Sequence, residues 1–379
     1  MLATLKLRLL PSKEQEEKFL QFSGATRWVY NWGLNLRKTH YDYHFESLSL
    51  QNLLEQLRDL KYTNEDLTWL KDIPESVSKQ ALKDLFKAYK NFYEGVSDYP
   101  KFKSKKNTRT TFYQRTDKIR YWEESSQVTI TGVGRVRVKN RYKWFPDSPK
   151  NPRVHFDGKY WYLTVSYEVG LGDMQLTSRS IGIDLGIKKL AVRSDGVEVL
   201  NINKTRTIRR IEKRLKRLQR KVSRKYNYGI KIQGGENRYN KTRNTVKVEK
   251  QITLIHRRLR NIRDNHIHNA TADIVKAKPY RVVVEDLNIK GMMKNRHLSK
   301  AIAHQCFYKF LTYLEYKCNY WGIQFIKANR FFPSSKLCSA CGRKKDKLSL
   351  SERVYTCHNC NFSLDRDLNA AINLANYTV

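Results

Sequence analysis

Negative charge is scarce in this sequence. The 379 residues include 36 Asp and Glu but 74 Lys and Arg, which gives a formal net charge of +38 and a pI near 10.0. The positive excess is spread along the chain instead of being confined to one tail. A solubilising surface does not need so large a field of one sign, so we expect a polyanion as partner, with nucleic acid the first candidate.

Long apolar runs are absent as well. No apolar run in the sequence reaches the length of a membrane span, and the opening segment, MLATLKLRLLPSKEQ, contains no apolar signal segment. We therefore expect a soluble intracellular protein without a membrane partner.

Cysteine is also sparse, with six residues, but four of them form two CxxC pairs separated by fifteen residues. Each pair can present two thiolates on one side of a short turn, and this spacing fits one tetrahedral zinc site. Disulfide bonds are the alternative, but they are rare in the reducing compartment expected for this chain. Four thiolates leave zinc no open position, so its role should be structural. The four cysteines are Cys338, Cys341, Cys357 and Cys360.

Three carboxylates occur where a charge is costly. Asp184 lies in the apolar segment IGIDLG, Glu285 ends the apolar run RVVVE, and Asp367 opens the helical pattern DLNAAINLAN. Any one of them could be an ordinary strand-end or helix-capping residue. Together they suggest carboxylates that converge on divalent metal, and oxygen ligands suit Mg²⁺ or Mn²⁺. Two such ions could activate water and stabilise the leaving oxygen at a phosphodiester.

The N-terminal part of the sequence predicts a sheet interrupted by helices. Residues 2–10 alternate apolar and basic side chains, as a strand does, and Ser12 with Gln15 forms a capping-box pattern that starts a helix. Helical patterns continue to about residue 94, and period-two strand patterns follow over residues 128–138 and 160–167. We expect the opening strand to pair with these later strands in a small β-barrel, with the helices inserted after the first strand.

Two helical segments carry rows of basic side chains. The helix that contains Lys79, Gln80 and Lys83 has a lysine-rich face, which could be a solvated face or a phosphate-contacting one. Residues 204–277 predict a helical hairpin with a coiled-coil seam, with a loop over Tyr226–Tyr239. This hairpin is basic enough to lie along a nucleic-acid duplex through phosphate contacts. Its candidate contacts are Arg209, Arg210, Arg214 and Arg217.

Several segments resemble the TnpB family, the RNA-guided nucleases of insertion-sequence transposons from which type V CRISPR effectors descend. The similarity spans nearly the whole chain, and the combination of motifs is specific although GIDLG alone would be weak. The segments with the signature of the family are IGIDLGIKKLAV, VVVEDLNIKGM, RFFPSSKLCSACG and CHNCNFSLDRDLNAAINL. The beginning of the chain matches the family through LRLLPSKEQEEKF, WVYNWGLNLR, ALKDLFKAYKNFY and YPKFKSKK.

The resemblance implies a multi-domain α/β fold. It comprises a RuvC nuclease domain of RNase H-like fold with an inserted zinc ribbon, and an N-terminal β-barrel, the wedge, with an inserted helical recognition domain. The expected N-terminal boundaries are 1–10 for the first wedge strand, 11–104 for the recognition domain and 105–175 for the rest of the wedge. The expected C-terminal boundaries are 176–330 for RuvC with its hairpin at 204–277, 331–361 for the zinc ribbon and 362–379 for the last part of RuvC.

The resemblance also assigns roles to residues. The catalytic, magnesium-binding carboxylates of the family map onto Asp184, Glu285 and Asp367, and its zinc ligands map onto the four CxxC cysteines. Asp367 is preferred to Asp365 because the family pattern places the aspartate two residues before the Asn-Ala-Ala that begins at Asn369. Asp365 remains the second candidate. The other cysteines, Cys306 and Cys318, have no family role and are expected to be core residues on a helix.

The function implied by the resemblance is RNA-guided cleavage of double-stranded DNA. One protein would bind one guide RNA from the transposon end and use the helix with Lys79, Gln80 and Lys83 to recognise a short motif beside the target. The cofactors would be one structural Zn²⁺, two catalytic Mg²⁺ or Mn²⁺ ions and the guide RNA. The expected location is the prokaryotic cytoplasm, with nucleoid association when DNA is bound.

Three alternative functions are compatible with parts of the sequence. A guided repressor that has lost cleavage is disfavoured because all three carboxylates are intact. A transposase that joins DNA ends is disfavoured because the cysteine motif stands just before the third carboxylate, as in the nucleases. A compact type V CRISPR effector differs from a transposon nuclease by genomic context alone.

Overall fold

The computed structural model describes residues 1–106, 108–232, 241–349 and 351–378. These form two compact units, an N-terminal unit of Leu2–Val169 and a C-terminal unit of Gly170–Val379 that also includes Met1. Within the described ranges, none of the helices combines the length and the apolar character that a bilayer crossing requires.

The N-terminal unit begins with one strand and then turns helical. The capping box predicted at Ser12 is confirmed, because Ser12 Oγ accepts from the Gln15 backbone N–H and the Gln15 side chain accepts from the Ser12 N–H. A short 3₁₀ segment, Glu65–Asp72, separates the second and third helices. The bounds are β1 Leu2–Leu10, α1 Lys13–His44, α2 Leu50–Thr63 and α3 Glu75–Tyr93.

The strands that follow the helices join β1 in one antiparallel sheet. Their bounds are β2 Thr111–Tyr113, β3 Tyr121–Trp122, β4 Gln127–Ile130, β5 Gly134–Val138, β6 Lys150–Phe156 and β7 Trp161–Glu168. The order is β2-β6-β7-β1-β5-β4-β3, so the prediction that the opening strand pairs with later strands is confirmed. Because β2 and β3 are the two ends of this order, closure into a barrel stays a prediction.

Two apolar clusters build the N-terminal unit. Phe19 and Phe22 of α1 pack against Phe112 of β2, with ring centroids 5.5 and 5.3 Å apart, and so fix the helix on the sheet. Gly33 allows α1 to approach α3, because a Cβ atom there would lie 2.6 Å from Leu82 Cδ2. The inserted helices therefore have a core of their own beside that of the sheet.

The C-terminal unit is built around a mixed five-stranded sheet. Its order is β10-β9-β8-β11-β12, with β8, β11 and β12 mutually parallel and β9 and β10 antiparallel to their neighbours. β13 and β14 form a separate two-stranded sheet. The strands are β8 Thr177–Leu185, β9 Lys189–Arg193, β10 Glu198–Leu200, β11 Pro279–Glu285, β12 Gln324–Ala328, β13 Val354–Thr356 and β14 Ser363–Asp365. The helices are α4 Arg206–Ile232, α5 Arg243–Lys276, α6 Ile289–Met293, α7 Ser299–Gln305, α8 Phe307–Tyr320 and α9 Arg366–Ala375.

The basic hairpin is formed by α4 and α5. The predicted apolar seam is confirmed, since Ile208, Leu215 and Leu259 lie in one buried cluster between the two helices. The predicted loop over Tyr226–Tyr239 is wrong at its start, because residues 226–232 continue α4. The reason is a contact across the hairpin, in which the Tyr226 hydroxyl donates to Glu249 of α5. The rest of the predicted loop, residues 233–239, lies outside the described residues.

The two cysteines outside the CxxC pairs differ from each other. Cys318 is buried in α8, as predicted. Cys306 is not on a helix, because it is the junction between α7 and α8 and has a left-handed backbone with φ of 54°. The left-handed residue interrupts the helical path there, which the apolar pattern of the sequence does not reveal.

Candidate functional site

Two neighbouring parallel strands bring the first two carboxylates together. Ile183 of β8 pairs with Val284 of β11, and Asp184 and Glu285 are the next residues on their strands. Both carboxylates therefore lie near the carboxyl ends of adjacent parallel strands, the edge where open α/β sheets place their functional groups. The predicted strand-end positions of Asp184 and Glu285 are confirmed.

Helix α9 brings the third carboxylate to the same sheet. Its backbone lies directly on β8 at Gly182, where a Cβ atom would be 2.0 Å from the Ala371 carbonyl oxygen and 2.3 Å from the Ala375 nitrogen. The end of the helix is fixed there as well, because the Ser180 hydroxyl donates to the Ala375 carbonyl at 2.7 Å. Asp367 stands one helical turn before Ala371, so the close contact at Gly182 places it towards Asp184.

The charges of Glu285 and Asp367 act on Asp184. Burial raises the pKa of Asp184 well above its ordinary value, and the negative charges of Glu285 and Asp367 raise that pKa further. Arg366 opposes the shift but does not cancel it. All three carboxylates remain half-buried, so solvent or a substrate can still reach them. A buried carboxylate beside two others needs compensating positive charge, and these oxygen ligands suit a divalent cation such as Mg²⁺ or Mn²⁺.

Asp365 and Asp367 have different surroundings. Asp365 Oδ1 accepts from the backbone N–H groups of Asp367 and Leu368, at 3.0 and 3.1 Å, and so caps the N-terminus of α9. Its other oxygen lies 3.9 Å from Lys189 Nζ. Asp367 Oδ1 lies 3.7 Å from Arg366 Nε. The cap role of Asp365 supports its place as the second candidate, and the assignment of Asp367 stays a prediction.

The sequence did not predict the hydrogen bond between Ser334 and Glu285. The buried Ser334 hydroxyl donates a 2.5 Å hydrogen bond to Glu285 Oε1. Ser334 lies in the segment RFFPSSKLCSACG, four residues before Cys338. The sequence offered no chemical signal for this role, because the hydroxyl reaches Glu285 only through the folded arrangement of the sheet.

The four CxxC cysteines come together as their spacing predicted. Cys338 Sγ lies 3.6 Å from Cys360 Sγ, Cys341 Sγ lies 3.7 Å from Cys357 Sγ, and all four sulfur atoms are within 4.8 Å of one another. Thiolates bound to one tetrahedral zinc at about 2.3 Å would be separated by about 3.8 Å, so this arrangement fits zinc. In the described part of the chain it is the one such group of three or more potential ligands, and the carboxylates are less tightly gathered.

The surroundings of these cysteines shift their pKa values in different directions. The N–H of Arg343 lowers the pKa of Cys341 to about 6. The N–H of Phe362 lowers the pKa of Cys360, but the three neighbouring sulfur atoms outweigh it and raise that pKa to about 12. The raised pKa of Cys360 disfavours its thiolate beside the other sulfur atoms, and a zinc ion bound between them would favour it.

Of the three candidate nucleic-acid contacts on α3, one is hydrogen-bonded within the protein and two are exposed. Lys79 and Lys83 are exposed. Gln80 Nε2 donates to Asp84 Oδ1 at 2.9 Å, and Asp84 also accepts two hydrogen bonds from Arg153, at 2.8 and 2.9 Å. Gln80 is therefore held by a carboxylate, while the two lysines project into solvent. Their assignment as motif-reading contacts stays a prediction.

The candidate contacts of α4 lie on its outer face. Arg209, Arg210, Arg214 and Arg217 are all exposed, opposite the buried seam. Among the described residues, none of these four guanidinium groups forms an ion pair. Their role as phosphate contacts also stays a prediction.

Family models match three parts of the chain. A model described as "Helix-turn-helix domain" matches residues 1–44, one described as "Probable transposase" matches residues 165–296, and one described as "Cas12f1-like, TNB domain" matches residues 307–374. The last of these includes the four cysteines and Asp367.

Relatives of known family, two of them aligned over nearly the whole chain, show where the chain belongs. A Streptomyces pristinaespiralis protein called "Putative RNA-guided DNA endonuclease" is 30% identical and aligns with 97% of this chain and 87% of its own. The "Putative RNA-guided DNA endonuclease InsQ" of Escherichia coli K12 is 27% identical over 98% of this chain and 91% of its own. A mimivirus "TnpB-like protein L79" is 29% identical over 52% of this chain and 36% of its own. Through these relatives the chain belongs to the TnpB family.

Proposed function

We propose that this protein is an RNA-guided DNA endonuclease that hydrolyses phosphodiester bonds at one metal-dependent site. The observation that carries the proposal is the convergence of Asp184, Glu285 and Asp367 at one edge of the C-terminal sheet, where burial and the charges of Glu285 and Asp367 raise the pKa of Asp184. The names of the full-length relatives support the guided character of the reaction.

The three carboxylates would hold the catalytic metal. Bound Mg²⁺ or Mn²⁺ ions would activate water and stabilise the leaving oxygen at the scissile phosphate. Asp184 and Glu285 contribute rigid ligands because they stand on adjacent strands, and Asp367 contributes a ligand from the first turn of α9. Arg366, beside Asp367, adds positive charge at the edge where a phosphate would enter.

The finer architecture is part of the proposal. The C-terminal unit would be a RuvC domain of RNase H-like fold, interrupted by the hairpin at 204–277 and a zinc ribbon at 331–361, and completed by 362–379. The N-terminal unit would be the wedge barrel, formed by 1–10 and 105–175, with the recognition domain at 11–104. The pairing of β1 with β5 and β7 and the position of α1, α2 and α3 after β1 in the chain support this division.

Guide RNA and target DNA would be held mainly through their phosphates. The net charge of +38 and the exposed arginines of α4 supply positive surface, while base pairing between guide and target would supply sequence specificity. The helix face with Lys79 and Lys83 is the proposed contact for the motif beside the target. The stoichiometry would be one protein per guide RNA.

The first experiment is to express the protein with its native downstream DNA and to sequence the RNA that co-purifies. We expect one structured RNA that ends in variable sequence. In a set of DNA duplexes that match this end and vary in the flanking sequence, those with the required motif should be cut on both strands in Mg²⁺ by the wild-type complex, and Asp184→Ala should bind them without cutting. Heterogeneous RNA, or none, would overturn the guided part of the proposal.

A further inference from the structure

A tight turn before the cysteine motif contacts Glu285, one of the three carboxylates of the proposed nuclease site. It comprises residues 333–337, and the Leu337 N–H closes it by donating to the Pro333 carbonyl at 3.1 Å. Ser334 is 3% exposed within this turn, and its hydroxyl donates to Glu285 Oε1 at 2.5 Å. A glutamate at a strand end can adopt several rotamers, so a buried donor of this kind selects one of them.

Two asparagines of α9 hold the same turn from the other side. Asn373 Nδ2 donates to the carbonyl oxygens of Ser334 and Leu337, both at 2.8 Å. Asn369 Nδ2 donates to the Leu337 carbonyl at 2.7 Å, and its Oδ1 accepts from the Ser339 N–H at 3.0 Å. Asn369 is 0% exposed and Asn373 is 7% exposed, so each amide would be costly to leave unpaired.

These hydrogen bonds connect parts that are distant in sequence. Glu285 is bonded to Ser334, Ser334 to Asn373, and Asn373 belongs to the helix that carries Asp367. Leu337, which accepts from both asparagines, is followed directly by Cys338. The network therefore ties the second carboxylate, the helix of the third carboxylate and the first cysteine into one unit.

We propose that Ser334 and Asn373 are positioning residues of the nuclease site, which fix Glu285 relative to the helix that bears Asp367. This inference rests on the proposed function, because it assumes that Glu285 and Asp367 hold the same metal. Neither residue touches substrate or metal in this proposal. Ser334 orients the carboxylate, and Asn373 keeps Ser334 in place.

The test compares Ser334→Ala with Ser335→Ala in the complete protein–RNA complex. Ser335 is the matched control, since it has the same side chain one residue away, while the hydroxyl bonded to Glu285 belongs to Ser334. Loss of a hydrogen bond that orients a metal ligand costs about 10- to 100-fold in metal affinity or activity, so Ser334→Ala should lower the cleavage rate by that order. It should also raise the Mg²⁺ concentration for half-maximal cleavage. DNA binding and the thermal midpoint should stay near the wild-type values, and Ser335→Ala should change neither rate nor metal requirement.

Two further variants separate positioning from support of the fold. Ser334→Thr keeps the hydroxyl and should recover most of the activity that Ser334→Ala loses. Asn373→Ala should raise the metal requirement in the same direction, and the double variant with Ser334→Ala should lose less than the sum of the two single losses. Equal loss of DNA binding and thermal stability in Ser334→Ala and Ser334→Thr, or additive losses in the double variant, would overturn the positioning role.

Mn²⁺ binding, followed by electron paramagnetic resonance, makes the inference independent of cleavage. Weaker Mn²⁺ binding by Ser334→Ala, in a protein whose binding requires Asp184, supports positioning even if the wild-type complex cuts no DNA. In that case the proposed function fails alone. If the wild type cuts DNA and Ser334→Ala keeps its rate and Mn²⁺ affinity, the inference fails alone. If the wild type shows no Mn²⁺ binding that requires Asp184, both fail.

Discussion

The four-cysteine centre and the carboxylate centre are built on opposite principles. All four cysteines lie between residues 338 and 360, and short turns bring each pair together, so their sulfur atoms lie within 4.8 Å of one another. The carboxylates are spread from residue 184 to residue 367 and meet only because two strands pair and a helix packs on them. The cysteine centre thus depends on local spacing, and the carboxylate centre depends on the whole fold of the C-terminal unit.

The largest effect should come from the carboxylate centre itself. Asp184→Ala removes a proposed metal ligand, and metal stabilisation of a phosphoryl transition state is worth several kcal/mol, so cleavage should fall on the order of a thousand-fold or more. Glu285→Ala and Asp367→Ala should behave alike. Guide-dependent DNA binding should persist, as a gel-shift assay can show. Full cleavage activity in any one of these variants would remove that residue from the site.

The cysteine centre should respond with loss of metal and of local structure. Cys338→Ser should reduce zinc below one ion per chain, measured by plasma mass spectrometry, and should lower the thermal midpoint because the ribbon loses its cross-link. Cys306→Ser is the matched control, since Cys306 lies outside the cluster. A wild-type protein without stoichiometric zinc, or equal zinc content in both variants, would contradict the assignment.

A glycine without a reactive side chain, Gly182, tests how far the carboxylate centre depends on packing. Gly182→Ala would place a Cβ atom 2.0 Å from the Ala371 carbonyl oxygen, so α9 must move away from β8. Such overpacking should lower the free energy of unfolding by about 3 kcal/mol and displace Asp367 enough to reduce cleavage. Gly170→Ala is the control, because its Cβ atom would meet nothing within 4 Å. Urea denaturation and cleavage rates would measure both, and equal stability of the two variants would refute the packing argument.

The sequence predicted what local chemistry determines. The strand at residues 2–10, the capping box at Ser12 and the grouping of the cysteines all depend on short-range spacing, and the structure confirms them. The carboxylate positions at two strand ends and a helix start could also be predicted, because a charge in an apolar pattern is conspicuous.

Features that depend on contacts between distant parts of the chain could not be predicted from the sequence. The bond from Ser334 to Glu285 joins residues from separate elements, and serine has no pattern that marks such a role. The predicted end of α4 was too early because Tyr226 is held by Glu249 on the facing helix. Asn369 and Asn373 lie in a run that predicts an ordinary amphipathic helix, yet both are buried and bonded to the turn before the cysteines. Each of these three misses involves a polar side chain whose partner is distant in sequence.

The smallest expected effect distinguishes the two neighbouring aspartates. Asp365→Ala removes a helix cap and should lower the free energy of unfolding by about 1 kcal/mol, with only a modest loss of cleavage. Asp365→Asn keeps an oxygen that can accept from the Asp367 and Leu368 N–H groups, so it should retain both stability and cleavage. Asp367→Asn should keep the helix but lose cleavage, because an amide is a poorer ligand for a divalent cation than a carboxylate. The reverse pattern, with cleavage lost in Asp365→Asn and kept in Asp367→Asn, would move the third metal ligand to the cap position.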